Sequence, residues 1–391
     1  MCYKNAMLTE YFFFVFSGAA VLACLAMYGR QPLLITYIAL GAIIGPYGLG
    51  LIEDVALLKE ASEIGIIFLL FLIGLDMQPS ALIAVLKKAT KITVLSSLIF
   101  AVAGYGFALA WGFSQMDSLV IGAALIFSST IIGIKLLPTT ALHHKHSGEL
   151  MIGLLLLQDF LAIFVLILLL SGETGKIDLL SFGKALIAVP VLAAAAFLVT
   201  KKVVLPIISK FDRITEFTFL IAIGWCMGIA ELAKFMGLSH EIGAFIAGVT
   251  LATSPISQYI ALSLKPLRDF FLIVFFFAIG AGFNLGMLTE VVVPAVLLAV
   301  IVLALKPIVF RFLLRTQAET NQLAWDLGFR LGQISEFSLL IVFLAVETTL
   351  ISEKASLLVQ ATAILTFLVS SYIVVFNYPN PIAVSDRLRR D

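Results

Sequence analysis

Leu154-Leu155-Leu156-Leu157-Gln158-Asp159-Phe160-Leu161-Ala162-Ile163-Phe164 sets a carboxamide and a carboxylate in the middle of an otherwise apolar run. The run extends from about residue 148 to 170. As a helix it is long enough to cross the roughly 30 Å of bilayer hydrocarbon, which puts Asp159 near the centre. Even the lowest scale charges about 3 kcal/mol for a carboxylate at that depth, so an acid there is by default a functional residue. The plainer reading is an acid that braces a helix bundle by pairing with a base. The rest of the chain decides between them.

Composition agrees with a membrane setting. Of 391 residues, 61% are apolar and 13% charged, and the mean hydropathy is +1.12. Soluble domains carry about twice that charge fraction, so the chain reads as an all-α polytopic membrane protein. The net charge of +1 carries little by itself, and nothing points to nucleic acid. Cys2, Cys24 and Cys226 show neither metal-ligand nor CxxC spacing and read as packing residues. The first apolar run, about 8–28, lacks a strongly basic leader and a good cleavage site, so it is expected to be a spanning helix rather than a signal peptide.

Windows of about 17–25 apolar residues recur. About thirteen are expected to span: 8–28, 32–49, 62–78, 92–113, 117–138, 148–170, 183–205, 214–233, 240–256, 269–286, 290–312, 324–347 and 355–377. The second, ninth and tenth are short, and Gly41, Gly45, Gly243 and Gly248 would allow close helix contact there. Basic residues alternate with this count. Sixteen of the 25, from Arg30 and Lys87 to Arg387, Arg389 and Arg390, fall in one set of connections and the C-terminal tail, and six fall on the opposite side. The positive-inside rule then places the N-terminus outside and the C-terminus in the cytoplasm.

Thirteen spans divide into a first repeat over 8–170, a linker helix at 183–205, a second repeat over 214–377 and a tail at 378–391. The second set starts on the opposite side from the first, so the repeat must be inverted, a common plan of secondary transporters. Phe71-Leu72-Ile73-Gly74-Leu75 in span 3 matches Phe277-Ala278-Ile279-Gly280-Ala281 in span 10, and the glycine-spaced spans 2 and 9 also correspond. Spans 5 and 12 hold equivalent places and are each interrupted by small polar residues. Span 5 carries Ser128-Ser129-Thr130 and then Gly133; span 12 carries Gly332-Gln333-Ile334-Ser335-Glu336. Hydroxyls in membrane helices often only bond back to the preceding turn. The matched pair, with Glu336 added, instead predicts two discontinuous helices that cross at the midplane and face each other with unwound carbonyls.

Counted from the span ends, Gln158, Asp159, Ser128, Ser129, Thr130, Gln333 and Ser335 all lie near mid-membrane, with Lys306 slightly toward the cytoplasmic side. Spans 5, 6, 11 and 12 are therefore expected to converge on one polar site. Its donors are oxygens without His or Cys, which suits a hard monovalent cation and disfavours a transition metal. A carboxylate that holds either a proton or a cation, and faces each side in turn, gives exchange with no further machinery. Asp159 is accordingly the candidate shared proton and metal-cation ligand. Lys306 is either a counter-charge that the cation displaces or a brace for the broken helices. Glu336 and Arg330 could neutralise half-helix ends in span 12, as Lys135 could in span 5. Asp326 and Arg330, four apart, read as a helix-surface pair. Glu231 and Glu241 read as solvated span ends, and His143-His144-Lys145-His146 as an ordinary solvated loop.

The same residues carry a family resemblance. Phe127-Ser128-Ser129-Thr130, Leu157-Gln158-Asp159, Gly243-Ala244-Phe245-Ile246-Ala247-Gly248, Phe275-Phe276-Phe277-Ala278-Ile279-Gly280 and Gln333-Ile334-Ser335-Glu336-Phe337 resemble the membrane domain of Kef-type potassium/proton antiporters. These belong to the monovalent cation:proton antiporter-2 family. The resemblance covers about residues 8–377 and implies an NhaA/NapA-like fold of thirteen helices in an inverted repeat, a homodimer, and a core domain that moves against a dimerisation domain. It implies Asp159 as the ion-binding acid, Gln158 as its partner and Lys306 as the basic residue of the helix crossing, with potassium and protons as transported ions and no cofactor. It also implies the inner (plasma) membrane. Two departures stand out. Between spans 9 and 10 the chain reads Thr253-Ser254-Pro255-Ile256-Ser257-Gln258-Tyr259 and then Lys265 and Arg268, where glutathione-gated members are acidic, which counts against glutathione control. The cytoplasmic nucleotide-binding regulatory domain common in the family is not expected in this sequence, which has no glycine-rich phosphate fingerprint.

The expected activity is therefore a secondary potassium/proton antiporter. One rival is sodium/proton exchange on the same fold, because replacing an acid by Gln lowers negative charge without selecting ion size. Another is a gated conduit with Asp159 as a gating or structural acid, and a third is a sensor without transport. An enzyme fits least, since no nucleophile and base share a depth.

Overall fold

The computed structural model describes residues 2–29, 31, 33–52, 56–76, 79–129, 133, 146–170, 179–211, 215–254 and 256–379. Among them every regular element is helical. In chain order these are α1 (Cys2–Tyr28), α2 (Leu33–Ile44), α3 (Ala56–Asp76), α4 (Pro79–Ala110), α5 (Gln115–Ile126), α6 (His146–Leu170) and α7 (Leu179–Val199). A π-turn at Thr200–Val204 leads to α8 (Leu205–Lys210), α9 (Thr215–Phe235), α10 (His240–Leu251), α11 (Ile256–Ala281), α12 (Leu285–Thr316), α13 (Asn321–Arg330), α14 (Glu336–Glu347) and α15 (Glu353–Asn377). Each apolar window contains helix, and among the described residues seven helices are long and apolar enough to cross a membrane.

The windows at 32–49 and 240–256 are short, as expected, with 12 helical residues each. The tenth is not: α11 has 26. Its front half lies ahead of the apolar run and is amphipathic, with Ser257, Ile260 and Leu264 buried at helical spacing while Lys265 is exposed. A hydropathy window averages such a stretch away.

The chain packs as two compact units: Met1–Ala19, Tyr37–Leu82 and Leu166–Gly282 form one, and Ala20–Thr36, Ile83–Val165 and Phe283–Asp391 the other. In the first unit α3 packs on α10 and α11, and α10 on α9. Two backbone-to-backbone crossings organise it. A Cβ on Gly41 would fall on the Phe277 carbonyl and one on Gly280 on the Ile38 carbonyl, so α2 crosses α11 with nothing between the main chains. Likewise a Cβ on Gly248 would fall on the Phe71 carbonyl and lie 2.9 Å from Gly74 Cα, where α10 crosses α3. Small residues of this kind give membrane helices their closest van der Waals contact. Matching span 2 to span 9 and span 3 to span 10 exchanges one crossing for the other.

In the second unit α12 runs between α13 and α15, and α14 packs on α5 and α15. Helix starts follow sequence chemistry. Ser114, Asn284, Thr320, Ser335 and Ser352 each cap the next helix by accepting an early backbone N–H. The interruption of span 12 is seen, and that of span 5 is described as far as residue 129, with only Gly133 described beyond it in that span. Helix α5 stops where Phe127 turns extended (φ −86°, ψ 145°), and residues 127–129 are not helical. Helices α13 and α14 are separated by residues 331–335. Pro307 of α12 sits against the end of α13 and the second break: a Cβ on Gly328 would come 2.8 Å from the Pro307 carbonyl, and one on Gly332 3.3 Å from its ring.

Candidate functional site

An interrupted helix strands N–H and C=O groups that hydrocarbon cannot satisfy, so side chains must. At the end of α5 that side chain is Gln158. Its Oε1 accepts the Ser128 N–H at 3.0 Å and its Nε2 donates to the Ile126 carbonyl at 3.3 Å, so one carboxamide supplies the acceptor that the preceding turn and the donor that the next turn would give in a continuous helix. Gln158 is 1% exposed, and Asp159, the next residue of α6, is 6% exposed.

The two breaks are tied to each other. Ser128 Oγ donates to the Leu331 carbonyl at 2.9 Å, and Ser338 Oγ of α14 donates to Ala124 O of α5 at 2.6 Å. Lys306, 1% exposed on α12, completes the tie: its Nζ donates to Phe127 O at 2.5 Å, Gln333 O at 3.0 Å and Ser128 Oγ at 3.3 Å. An ammonium has three N–H donors, and these are three acceptors. Two of them are carbonyls at the C-terminal sides of α5 and α13, the ends where helix dipoles concentrate negative charge. The Phe100 ring, 5.3 Å from Nζ, adds a cation–π contact.

Around the second break, Gln333 Nε2 donates to Arg330 O at 2.9 Å. Ser335 Oγ accepts the Phe337 N–H at 3.1 Å and so caps α14, whose first residue, Glu336, is 7% exposed. A carboxylate there complements the positive helix N-terminus.

The structure thus joins Ser128, Gln158, Lys306 and Gln333 in one hydrogen-bonded cluster, with Asp159 adjacent in sequence and Ser129 buried next to Ser128. Thr130 lies outside the described residues, as do Lys135, His143, His144 and Lys145. The Asp326–Arg330 pair is present at 2.7 Å, but it joins a buried guanidinium, 1% exposed, to a partly exposed carboxylate rather than lying on the surface, and the guanidinium also donates to Pro379 O at 2.7 Å. Glu231 meets His240 at 3.1 Å at an exposed site.

Two groups were missed in the sequence. Thr366 Oγ1 on α15 accepts the Ile334 N–H at 3.3 Å, and Ser370 Oγ donates to Gln333 Oε1 at 2.8 Å. The signal was hydroxyls four apart, Thr362, Thr366 and Ser370, inside the last apolar window. The other is Asp117 in the first turn of α5. It is 7% exposed and accepts the Ser352 N–H at 2.8 Å and the Ser352 hydroxyl at 3.1 Å. It begins the fifth apolar window, where a charged residue does not stand out.

Known proteins place the chain. It is 28% identical over 365 residues to "K(+) efflux antiporter 5" of Arabidopsis thaliana, matching 89% of this chain and 62% of that protein. It is 29% identical over 349 residues to "Iron transporter MagA" of Paramagnetospirillum magneticum, matching 88% of this chain and 79% of that protein. The chain therefore spans only 62% of the length of the first of these relatives, and 60% of the related "K(+) efflux antiporter 4". In three dimensions it resembles the sodium proton antiporter MjNhaP1 of Methanocaldococcus jannaschii, with a TM-score of 0.66 over 94% of this chain and 96% of that one; at 18% identity this establishes the fold. The potassium efflux relatives agree with the Kef-type motifs, and these relatives are transporters rather than enzymes. A family model for the sodium/hydrogen exchanger transmembrane region matches residues 12–376, and the chain belongs to that family.

Proposed function

We propose that this protein is a secondary antiporter that exchanges potassium for protons by alternating access, with Asp159 as the one carboxylate that carries either ion. The observation that carries the proposal is that Asp159 is buried on α6, next in sequence to the carboxamide that closes the end of α5, where the other polar groups include hydroxyl and carbonyl oxygens. Such oxygens suit a hard monovalent cation. Ser128, Ser129 and Thr130 are the hydroxyls nearest in sequence to that break. Potassium is preferred to sodium in this reading on the names of the plant relatives.

Lys306 acts as the brace. All three of its donors serve the crossing of the two broken helices, so its charge offsets the two helix ends and leaves Asp159 to exchange its ion. Exchange of one cation for one proton on a single carboxylate is then electroneutral. Gln333, Ser335 and Glu336 hold the second half of the crossing. The cellular arrangement we propose is an inner-membrane homodimer with the N-terminus outside, built from repeats at 8–170 and 214–377 about a linker helix at 183–205.

The test is proton movement in proteoliposomes holding a pH gradient, on addition of potassium or sodium chloride, for the wild type and Asp159→Asn. Potassium should collapse the gradient in the wild type and fail to do so in the variant. Collapse by sodium alone would reassign the ion, and an uncoupled current would replace the antiporter by a conduit. Equal responses of the two proteins would remove Asp159 from the site.

A further inference from the structure

We propose that Thr366 and Ser370 of α15 are positioning residues of the exchange site: they hold residues 331–335 so that the Gln333 carbonyl meets Lys306. The inference rests on the antiporter reading for its functional consequence, but its geometry stands apart from it. Four bonds fix Gln333. Its Nε2 donates to Arg330 O, its Oε1 accepts from Ser370, its carbonyl accepts from Lys306, and the next N–H, of Ile334, donates to Thr366. A hydroxyl has one proton to give. Ser370 spends it on Gln333 Oε1 at 2.8 Å rather than on Phe329 O at 3.4 Å. Thr366 spends its own on Ala363 O at 3.0 Å, which leaves its lone pairs for Ile334.

From Gln333 the constraint continues. Lys306 joins Gln333 O to Phe127 O and Ser128 Oγ, and Gln158 joins Ser128 N–H to α6 one residue before Asp159. A change on α15 is thereby felt at the cation site without touching it.

Thr362 supplies an internal control. It is buried on the same helix, four residues from Thr366, yet its hydroxyl donates only to its own Leu358 carbonyl at 2.7 Å. Removing that bond leaves the break untouched.

The test uses Thr366→Val, Ser370→Ala and Thr362→Val, with Thr366→Ser and Ser370→Thr as restoring variants. Ser370→Cys, nearly isosteric and a weak donor, stands in should Ser370→Ala not fold. In proteoliposomes, Thr366→Val and Ser370→Ala should each raise the apparent KM for potassium about fivefold, the equivalent of one ordinary hydrogen bond. The maximal rate should stay within about twofold, as expected when binding rather than turnover is lost. Thr366→Ser and Ser370→Thr should restore the wild-type KM, and Thr362→Val should match it. An unchanged KM in both hydroxyl-deleted variants, or an equal rise in Thr362→Val, overturns the proposal. Amide hydrogen exchange on the purified protein decides the geometric claim separately. Thr366→Val and Ser370→Ala should speed exchange at residues 331–335 and also at 127–129. Faster exchange confined to 331–335, or spread evenly over α14 and α15, overturns it. A wild type without cation-coupled proton flux would sink the antiporter reading, and the amide exchange would still rule on α15.

Discussion

Asp117 and Ser352 form a clamp between the starts of α5 and α15, and its strength can be measured by a double-mutant cycle. The carboxylate accepts both the N–H and the hydroxyl of Ser352, while Ser352 Oγ accepts the Ala355 N–H and so caps α15. Hydrogen bonds to a charged partner contribute about 1.5–3 kcal/mol each in soluble proteins. Membrane cycles run lower, averaging about 0.6 and reaching about 1.7 kcal/mol, because the unfolded chain in the membrane finds other partners. Ser352→Ala keeps the backbone N–H bond, so the cycle reads the hydroxyl bond alone, and with Asp117 only 7% exposed a coupling of about 0.6–1 kcal/mol is expected. Asp117→Ala alone should cost about 2–3 kcal/mol, including the lost first-turn charge. Ser352→Ala alone should cost about 2 kcal/mol, of which the lost cap is about 1. The assay is reversible unfolding by SDS titration in mixed micelles for the wild type, both single variants and the double variant. Additivity within about 0.3 kcal/mol would refute the hydroxyl bond of the clamp, since that is the behaviour of independent sites.

Two further expectations use the same titration. Gly248→Ala should destabilise by about 1–3 kcal/mol, because its Cβ would meet the Phe71 main chain, which has no rotamer to move. Gly224→Ala, with nothing within 4 Å of the added carbon, should be neutral or stabilising by up to about 1 kcal/mol; equal effects at the two sites would contradict the crossing. Arg330→Lys should cost about 2 kcal/mol, because one ammonium cannot reach Asp326 and Pro379 O in the two directions that the guanidinium spans. A loss under about 0.5 kcal/mol would show the fork to be dispensable.

Much of this was legible in the sequence because the bilayer makes polar residues costly. Gln158, Lys306 and Gln333 stood out against apolar runs, and their depths alone grouped them. The interruptions were legible for the same reason: hydroxyls and a glycine in matched spans marked where backbone would need partners. What stayed hidden were contacts whose residues look ordinary in one dimension. Thr366 and Ser370 are two hydroxyls in an apolar window, and only the fold lays the break of span 12 beside them. The length of α11 was hidden too, since an amphipathic half has near-neutral mean hydropathy. Lys306 could be read in two ways because depth says nothing of direction; three acceptor oxygens settle where its donors go.

The π-turn after α7 has a consequence for how that helix meets its neighbours. Leu192, Ala196, Thr200, Val204 and Ile208 are all buried and recur every fourth residue. In a regular α-helix four residues overshoot a full turn by about 40°, so a stripe with that spacing winds around the helix and by its end would face away from where it began. Widening the turn at Thr200–Val204 takes back part of the drift. Thr200 can then reach Thr250 at 3.1 Å while Val204 and Ile208 remain in the same apolar cluster as Leu192 and Ala196. The extra residue works as a phase correction: it lets one helix keep a single face inward for longer than its own pitch would permit.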